Sequence, residues 1–406
     1  MRLFFCEKRM AMIIITNAHI HTFENDMEYP KGYVCINGSR IHSCGAMKDL
    51  VLDTMTKDEY EIIDAEGADV YPGFVDAHTH LGMFGDSLTF EGDDGNEDTD
   101  PVFPQLRAID AIDPQDGYFR EALSAGITTV VTGPGSANPV AGQLAAIKTY
   151  GRVVDRMIVK APVGIKFSLG ENPKSTYNDK DQTPVTRMAT AALIREALAK
   201  AKKYYCDKQR YESDKENYDD PEPDFKNEAL VPLFAKEIPA HFHVHRSDDI
   251  FTAIRIAREF DIDYVLVHAT DAYLFCDELK DESFKGILSG PVLTDRSKPE
   301  LRNHSPKAAG IISNSGMPLA IITDHPETPI QYLTICAAVA VRNGMDHDEA
   351  LKAITIYPAA ICGLDDRIGS IRQGKDADLV LFRGDPLDYM QTPWMVFAGG
   401  RLVRND

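Results

Sequence analysis

Short apolar runs alternate with helical segments through the middle of this chain. The apolar runs cover residues 126–132, 157–166, 238–244, 264–268, 287–293 and 319–323. The clearest helical segments cover residues 186–203, 248–260 and 347–356. Strands that alternate with helices form a parallel sheet, and a (β/α)8 barrel accommodates this many repeats. A doubly wound sheet is the alternative, but the GxGxxG phosphate loop that usually marks it is absent.

Both ends of the chain are β-rich, unlike the middle. Residues 12–70 are predicted to form short strands and turns, including the hairpin signal Asn37-Gly38, and residues 364–406 show the same pattern. We therefore expect one β module assembled from both termini, with the divisions 1–70, 71–363 and 364–406. Within the middle, residues 134–142 are interpreted as a turn and residues 204–228 as a polar insertion on one rim.

Composition excludes several classes of partner. The formal net charge is −20, which argues against nucleic acid or an anionic membrane, since both attract Lys/Arg surfaces. No apolar run approaches the ~20 residues needed to cross a bilayer. Seven dispersed cysteines without CxxC spacing indicate a reduced, cytoplasmic protein. Residues before the first strand are interpreted as an extra leader, and the expected partner is a small-molecule substrate, with a homo-oligomer left open.

The stretch YPGFVDAHTHLG, residues 71–82, carries the first chemical signal. His78 and His80 are two residues apart after an apolar run, so in a strand both imidazoles face the same side. Asp76 shares that face. Two imidazoles on one face can hold a single divalent metal ion between them.

Polar residues end several later apolar runs as well. In a barrel these strand ends point into the mouth where active sites lie. Taken singly, each has an ordinary explanation, such as a hydrogen-bonded core histidine or a helix N-cap. Chance alone does not explain why polar residues of these types stand at the ends of several separate apolar runs. The residues are Lys166 and Glu171, then His241, His243 and His245, then His268, and finally Asp324 beside His325.

Imidazoles and carboxylates without cysteine suit zinc, or other borderline ions such as manganese, iron, cobalt or nickel. An open coordination position on such an ion binds water and lowers its pKa towards ~7. Asp324 is then placed to take the proton of that water and pass it to a leaving group.

Together, FVDAHTH, the later single histidines, the strand-end Asp324 and the closing GSIRQGKDADLVLF resemble the amidohydrolase superfamily. The similarity is strongest to its imidazolonepropionase-like and prolidase-like members and covers roughly residues 12–403. The resemblance implies a distorted (β/α)8 TIM barrel with a small β-sandwich built from both termini. It also implies hydrolysis of amide, lactam, amidine or ester bonds by metal-activated water.

By motif, the resemblance assigns His78, His80, His243 and His268 as metal ligands, and Asp324 as both ligand and catalytic proton shuttle beside His268. Two-metal members bridge their ions with a carboxylated lysine or a glutamate from a middle strand. Lys166 or Glu171 could provide this bridge here, with Lys166 favoured. If neither does, the site holds one ion.

Substrate contacts are expected from His245, Arg246, Arg302 and His304. Arg suits bidentate recognition of a carboxylate, although Arg246 could instead pair with Asp248 or Asp249 of the next helix. Imidazolonepropionases follow the fifth-strand histidine with an acidic residue. Val244, His245 and Arg246 stand there in this chain, which disfavours that activity.

Three functions remain open from the sequence. The first is a metal-dependent hydrolase of a non-peptide carbon–nitrogen bond, in an amide or cyclic amide. The second is a dipeptidase acting on Xaa-Pro or a similar peptide at the same metal site. The third is a barrel that has lost catalysis and serves as a binding protein, which the retained Asp324 disfavours.

Overall fold

The structure is a computed structural model that describes residues 12–52, 56, 59–85 and 89–405. The predicted leader and Cys6 lie outside these residues. In the described ranges, no helix combines the length and apolarity that a bilayer-spanning segment needs. The six described cysteines, from Cys35 to Cys362, are all free thiols.

The described secondary structure consists of strands and α-helices numbered in chain order. The strands are β1 (Met12–His21), β2 (Glu28–Asn37), β3 (Arg40–Ala46), β4 (Tyr60–Asp64), β5 (Asp69–Pro72), β6 (Phe74–Thr79), β7 (Ile127–Thr132), β8 (Val140–Lys148), β9 (Ile158–Ser168), β10 (Ala240–Val244), β11 (Tyr264–His268), β12 (Ile287–Ser289), β13 (Leu319–Ile321), β14 (Leu379–Phe382), β15 (Met395–Ala398) and β16 (Arg401–Asn405). The helices are α1 (Tyr118–Ser124), α2 (Glu171–Asn178), α3 (Arg187–Ser213), α4 (Phe225–Phe234), α5 (Ser247–Phe260), α6 (Cys276–Leu279), α7 (Ala308–Asn314), α8 (Leu333–Arg342), α9 (His347–Lys352) and α10 (Ile356–Ile361).

The middle strands form a nearly closed barrel, which confirms the predicted fold. Their order is β6-β7-β8-β9-β10-β11-β12-β13. The first and last strands of this order, β6 and β13, approach each other where the His80 N–H donates to the His325 carbonyl at 2.8 Å. The barrel is distorted because β8 runs antiparallel to both β7 and β9. The turn that we predicted at residues 134–142 ends earlier than expected, because residues 140–142 already belong to β8.

The two termini share one sheet, as predicted. Its order is β16-β15-β14-β5-β1-β2-β3, with β4 on β1, so C-terminal β14 pairs directly with N-terminal β5. The segment before β14 also reaches the far edge, because the Ala377 N–H donates to the Ser39 carbonyl at 2.9 Å. Apolar residues of both termini, Val34 and Phe397 among them, share one core cluster. This sheet from both termini is consistent with the small β-sandwich that the resemblance implies.

The polar segment at residues 204–228 is more helical than predicted. Helix α3 continues to Ser213 and α4 begins at Phe225. Charge pairs one turn apart stabilise this extension, for example Lys203 with Asp207 at 2.6 Å. Polar composition alone suggested an irregular insertion, because an exposed helix carries few apolar residues.

The sandwich passes into the barrel within one residue. Strand β5 ends at Pro72 and β6 begins at Phe74. Gly73 lies against β7, where a Cβ would meet the Thr128 Oγ1 atom at 2.2 Å. Only glycine fits this close approach, and it directs β6 and its histidines into the barrel.

Candidate metal centre

The strand ends bring the predicted ligands to one mouth of the barrel. A cavity of about 450 Å³ opens there, and His80, His243, His245 and Asp324 are among its lining residues. Parallel strands present their carboxyl ends on one side, which is why residues so distant in sequence meet. The residues assembled are His78 and His80 from the end of β6, Lys166 from β9, His243 from β10, His268 from β11 and Asp324 after β13.

His78, His80 and Asp324 form the first group of possible ligands. The Nε2 atoms of His78 and His80 each lie 3.5 Å from Asp324 Oδ1. Their ligand atoms all lie within 4.8 Å of one another. Lys166 Nζ is 2.9 Å from His78 Nε2 and fully buried. The lysine that the resemblance favoured as a bridge therefore lies against the first ligand group.

His243, His245 and His268 form the second group, again with ligand atoms within 4.8 Å of one another. His268 joins the two groups, because its Nε2 atom lies 3.9 Å from Asp324 Oδ2. The sequence assigned His243 as the ligand and His245 to the substrate. The structure places both imidazoles beside His268.

Backbone carbonyls fix the tautomers of two of the predicted ligands. His80 Nδ1 lies 2.7 Å from the Gly133 carbonyl, and His268 Nδ1 lies 2.7 Å from the Gly290 carbonyl. A carbonyl only accepts hydrogen bonds, so each Nδ1 must carry the proton. Each Nε2 then presents its lone pair towards Asp324, as metal-binding histidines do.

Buried polar atoms at this mouth lack protein partners. Among the described residues, His268 Nε2 and Asp324 Oδ1 are buried without a hydrogen bond. Such atoms cost about 1–3 kcal/mol each when unsatisfied. A divalent ion would satisfy both, and the nitrogen and oxygen donors are those that zinc prefers. The residues present therefore fit a metal ion.

Burial sets the charge states of the ligands. It lowers the pKa of His268 to about 4 and holds the pKa of His78 and of His243 well below the usual value of 6.5. Burial alone would raise the pKa of Asp324, but His268, His80 and Lys166 outweigh it and lower that pKa. The imidazoles of His78, His243 and His268 are thus neutral and the Asp324 carboxylate is ionised at neutral pH, which are the metal-binding forms.

Two of these residues adopt the left-handed backbone conformation. The φ angle is 65° at His268 and 53° at Asp324. This conformation is unfavourable for non-glycine residues and concentrates at functional sites. It turns both side chains from their strands towards the shared centre.

The structure does not bring Glu171 or Arg246 into either ligand group or the cavity lining. Glu171 begins α2, and its backbone N–H donates to Glu300 Oε2 at 2.9 Å. The Arg246 guanidinium instead bonds the Asp248 carboxylate at 2.8 and 3.0 Å. This is the structural alternative that the sequence left open for Arg246, and it occurs because α5 begins one residue later.

The other two predicted substrate residues, His304 and Arg302, lie in different environments. His304 lines the cavity, where its Nε2 atom lies 3.1 Å from the Pro291 carbonyl. Arg302 is exposed on the surface. Of these two residues, only His304 therefore lies at the cavity.

Several cavity residues were missed from the sequence. Ser136 Oγ lies 2.9 Å from His243 Nδ1, and Asn172 accepts a hydrogen bond from Lys298 Nζ at 2.8 Å. Lys298 also pairs with the fully buried Glu300 at 3.0 Å. Ser136 lies in the segment interpreted as a turn, and Asn172 follows Glu171, so proximity to a predicted residue was the available signal.

Comparison with known proteins gives one consistent family. The sequence profile of the amidohydrolase family matches residues 70–404. A crystal structure of an amidohydrolase from Thermotoga maritima MSB8 shares 39% identity and a TM-score of 0.89, covering 97% of this chain and all of the other.

Curated relatives agree with this assignment. The amidohydrolase tasK of Hapsidospora irregularis is 27% identical over 85% of this chain, which corresponds to only 37% of its own length. An imidazolonepropionase of Acidiphilium cryptum is 25% identical over 81% of this chain and 82% of its own. The chain therefore belongs to the amidohydrolase family, hydrolases that act on carbon–nitrogen bonds.

Proposed function

We propose that the protein is a metal-dependent hydrolase that cleaves a non-peptide carbon–nitrogen bond, in an amide or cyclic amide, of a small molecule. The position of Asp324 carries this proposal. Its carboxylate lies within 3.5 Å of His78 and His80 and within 3.9 Å of His268, at the edge of the cavity. A carboxylate between two imidazole groups can serve both as a ligand and as a proton acceptor.

The ligand set fits one or two divalent ions, with zinc favoured by its nitrogen and oxygen donors. His78, His80 and Asp324 would hold one ion, and His243 and His268 would hold a second. When bound, such an ion supplies Lewis acidity, which polarises a carbonyl and makes water more acidic.

Asp324 would move the proton in this reaction. Its lowered pKa keeps it ionised at neutral pH, so it can accept a proton from the attacking water. It then donates that proton to the nitrogen that leaves as the carbon–nitrogen bond breaks. His268 acts beside it, with its Nε2 atom 3.9 Å from Asp324 Oδ2.

Lys166 is proposed to bridge two ions as a carbamate. Burial lowers its pKa to about 8, so a substantial fraction of the amine is neutral near that pH. Neutral Nζ can attack carbon dioxide, forming a nitrogen–carbon bond and releasing a proton. The product carries two oxygens two bonds beyond Nζ, which now lies 2.9 Å from His78 Nε2. A carbamate carbon signal in ¹³C NMR after labelling with ¹³C-bicarbonate tests this step, and Lys166→Met should abolish the signal.

One observation keeps a dipeptidase as the second candidate. Lys166, not Glu171, lies against His78, which is the arrangement that the prolidase-like members of the family suggested. His245 and His304 would then face the peptide from the cavity wall.

Turnover on a panel of cyclic amides, linear amides and dipeptides, with and without a chelator, distinguishes these functions. Hydrolysis of amides that stops with chelator and returns with zinc supports the first proposal. Preferential dipeptide hydrolysis supports the second. Chelator-insensitive turnover contradicts the metal mechanism, and zinc binding without turnover indicates a binding protein.

A further inference from the structure

Three strands of the terminal sheet place four side chains of metal-ligand type together, outside the two ligand groups of the barrel mouth. His19 and His21 lie two residues apart on β1, on one face of the sheet. Asp69 of β5 pairs directly with His19, and Glu28 of β2 pairs directly with His21. The register therefore places one carboxylate on each side of the histidine pair.

Both imidazoles converge on the same carboxylate oxygen. His19 Nδ1 and His21 Nε2 each lie 2.8 Å from Asp69 Oδ1. A tetrahedral zinc ion with bonds of about 2.0–2.1 Å holds its ligand atoms roughly 3.3 Å apart. Opening these contacts by about half an ångström would admit an ion, which is within the reach of side-chain rotation.

Glu28 occupies the opposite side of the two rings. Its carboxylate oxygens lie 3.0 Å from His21 Nδ1 and 3.7 Å from His19 Nε2. Metal-binding histidines commonly donate the second ring N–H to a carboxylate, which fixes the tautomer and orients the ring. Tyr71 stacks on His21 at a centroid distance of 4.4 Å and an angle of 6°, which further restricts that ring.

We infer that His19, His21 and Asp69 form a second divalent-metal site, in the terminal sheet, for a borderline ion such as zinc, cobalt or nickel, with Glu28 orienting the His21 imidazole. His19 and Asp69 are about one-third exposed, so solvent can reach the ion and complete its coordination. This inference does not depend on the proposed hydrolysis.

The alternative is a metal-free cluster of ion pairs. In that case His21 must carry a proton on each nitrogen, because it faces a carboxylate on both sides. With an ion bound, His21 is neutral, its Nε2 coordinates the ion and its Nδ1–H donates to Glu28. The two cases differ in metal content, which can be counted.

The ion would stabilise the entry to the barrel. Asp69 begins β5, which passes through Pro72 into β6 and on to His78. An ion held by β1 and β5 cross-links the strand that leads to the barrel ligands. Binding to the folded state alone raises the melting temperature as free metal increases.

The test counts zinc equivalents bound by chelator-treated full-length protein on titration with Zn²⁺. Wild type should bind one equivalent more than His19→Ala and one more than Asp69→Asn, with turnover unchanged in both variants. His42→Ala, an exposed histidine on β3, is the matched control and should bind as wild type. His78→Ala should retain the sandwich equivalent while losing metal from the barrel.

An anomalous difference map from zinc-soaked wild-type crystals gives a readout that needs no variant. A peak between His19 Nδ1, His21 Nε2 and Asp69 Oδ1 is expected. Absence of that peak at saturating zinc, or unchanged equivalents in folded His19→Ala or Asp69→Asn protein, overturns the inference and leaves an ion-pair cluster.

Discussion

Asp76 accepts two hydrogen bonds from Thr323 across the seam of the barrel, where the first strand β6 meets the last strand β13. Asp76 Oδ2 accepts hydrogen bonds from the Thr323 hydroxyl at 2.6 Å and from the Thr323 N–H at 3.1 Å, although 247 residues separate them. Asp76 Oδ1 also accepts from the His78 N–H at 3.2 Å. One buried carboxylate thus positions the backbone beside His78 and beside Asp324.

Removing that carboxylate should destabilise the barrel and misplace Asp324. Asp76→Ala leaves three donors without an acceptor, and we expect a loss of about 3 kcal/mol in the free energy of unfolding, with a lower kcat. Urea unfolding with steady-state kinetics measures both. Thr129→Val is a matched control, since the buried Thr129 hydroxyl has no hydrogen-bond partner. Equal stability of Asp76→Ala and wild type would show that the seam does not need this carboxylate.

Asp324→Asn should keep the fold and most of the bound metal but lower kcat by about 10²–10⁴-fold, because an amide cannot accept the proton. Turnover and zinc content are measured on the same sample. Asp277→Asn, at a side chain that is 92% exposed, serves as the control. Near-normal turnover in Asp324→Asn would mean that another group carries the proton.

His78→Ala should lower metal occupancy at the barrel mouth. The variant removes one imidazole of the first ligand group and the partner that Lys166 contacts at 2.9 Å. Mass spectrometry of metal content after dialysis against limiting zinc measures occupancy, with His42→Ala as the control. Unchanged occupancy would exclude the first-strand pair as a ligand set.

His347 should make stability depend on pH away from the metal centre. Its Nε2 atom lies 3.0 Å from Asp385. Burial opposes protonation, but Asp385 and Asp348 outweigh it and raise the pKa of His347 above 6.5. A pKa raised by folding stabilises the protein fully below the unfolded value, and this contribution is lost as pH rises through the raised pKa.

The measurement is the urea midpoint at pH 6 and pH 8, with chelator present so that metal release does not contribute. The midpoint should fall more between these pH values in wild type than in His347→Gln. His42→Gln should behave as wild type. An identical pH response in His347→Gln and wild type would show that the Asp385 contact contributes nothing.

Local patterns predicted much of the scaffold. The apolar run at residues 264–268 matches β11 residue for residue, and the helical segment at residues 248–260 lies within α5. The parity of His241, His243 and His245 placed them on one strand face, and all three are buried. These features depend on neighbouring residues, so sequence periodicity suffices.

Other features could not be predicted from the sequence, because they depend on residues that are distant along the chain. Strand β8 is antiparallel because of its pairing with β7 and β9, which no local pattern reports. His19 and His21 have the same spacing as His78 and His80, but their significance depends on Asp69 and Glu28 in neighbouring strands.

The sequence by itself determined the donor chemistry, the strand and helix periods and the family, because these are properties of residue types and their spacing. Only the tertiary structure decided which strand ends meet, that Lys166 rather than Glu171 contacts His78, and that both His243 and His245 lie beside His268. The physical reason is that a metal site requires atoms within a few ångströms of one another. Chain closure over hundreds of residues, not local conformation, sets those distances.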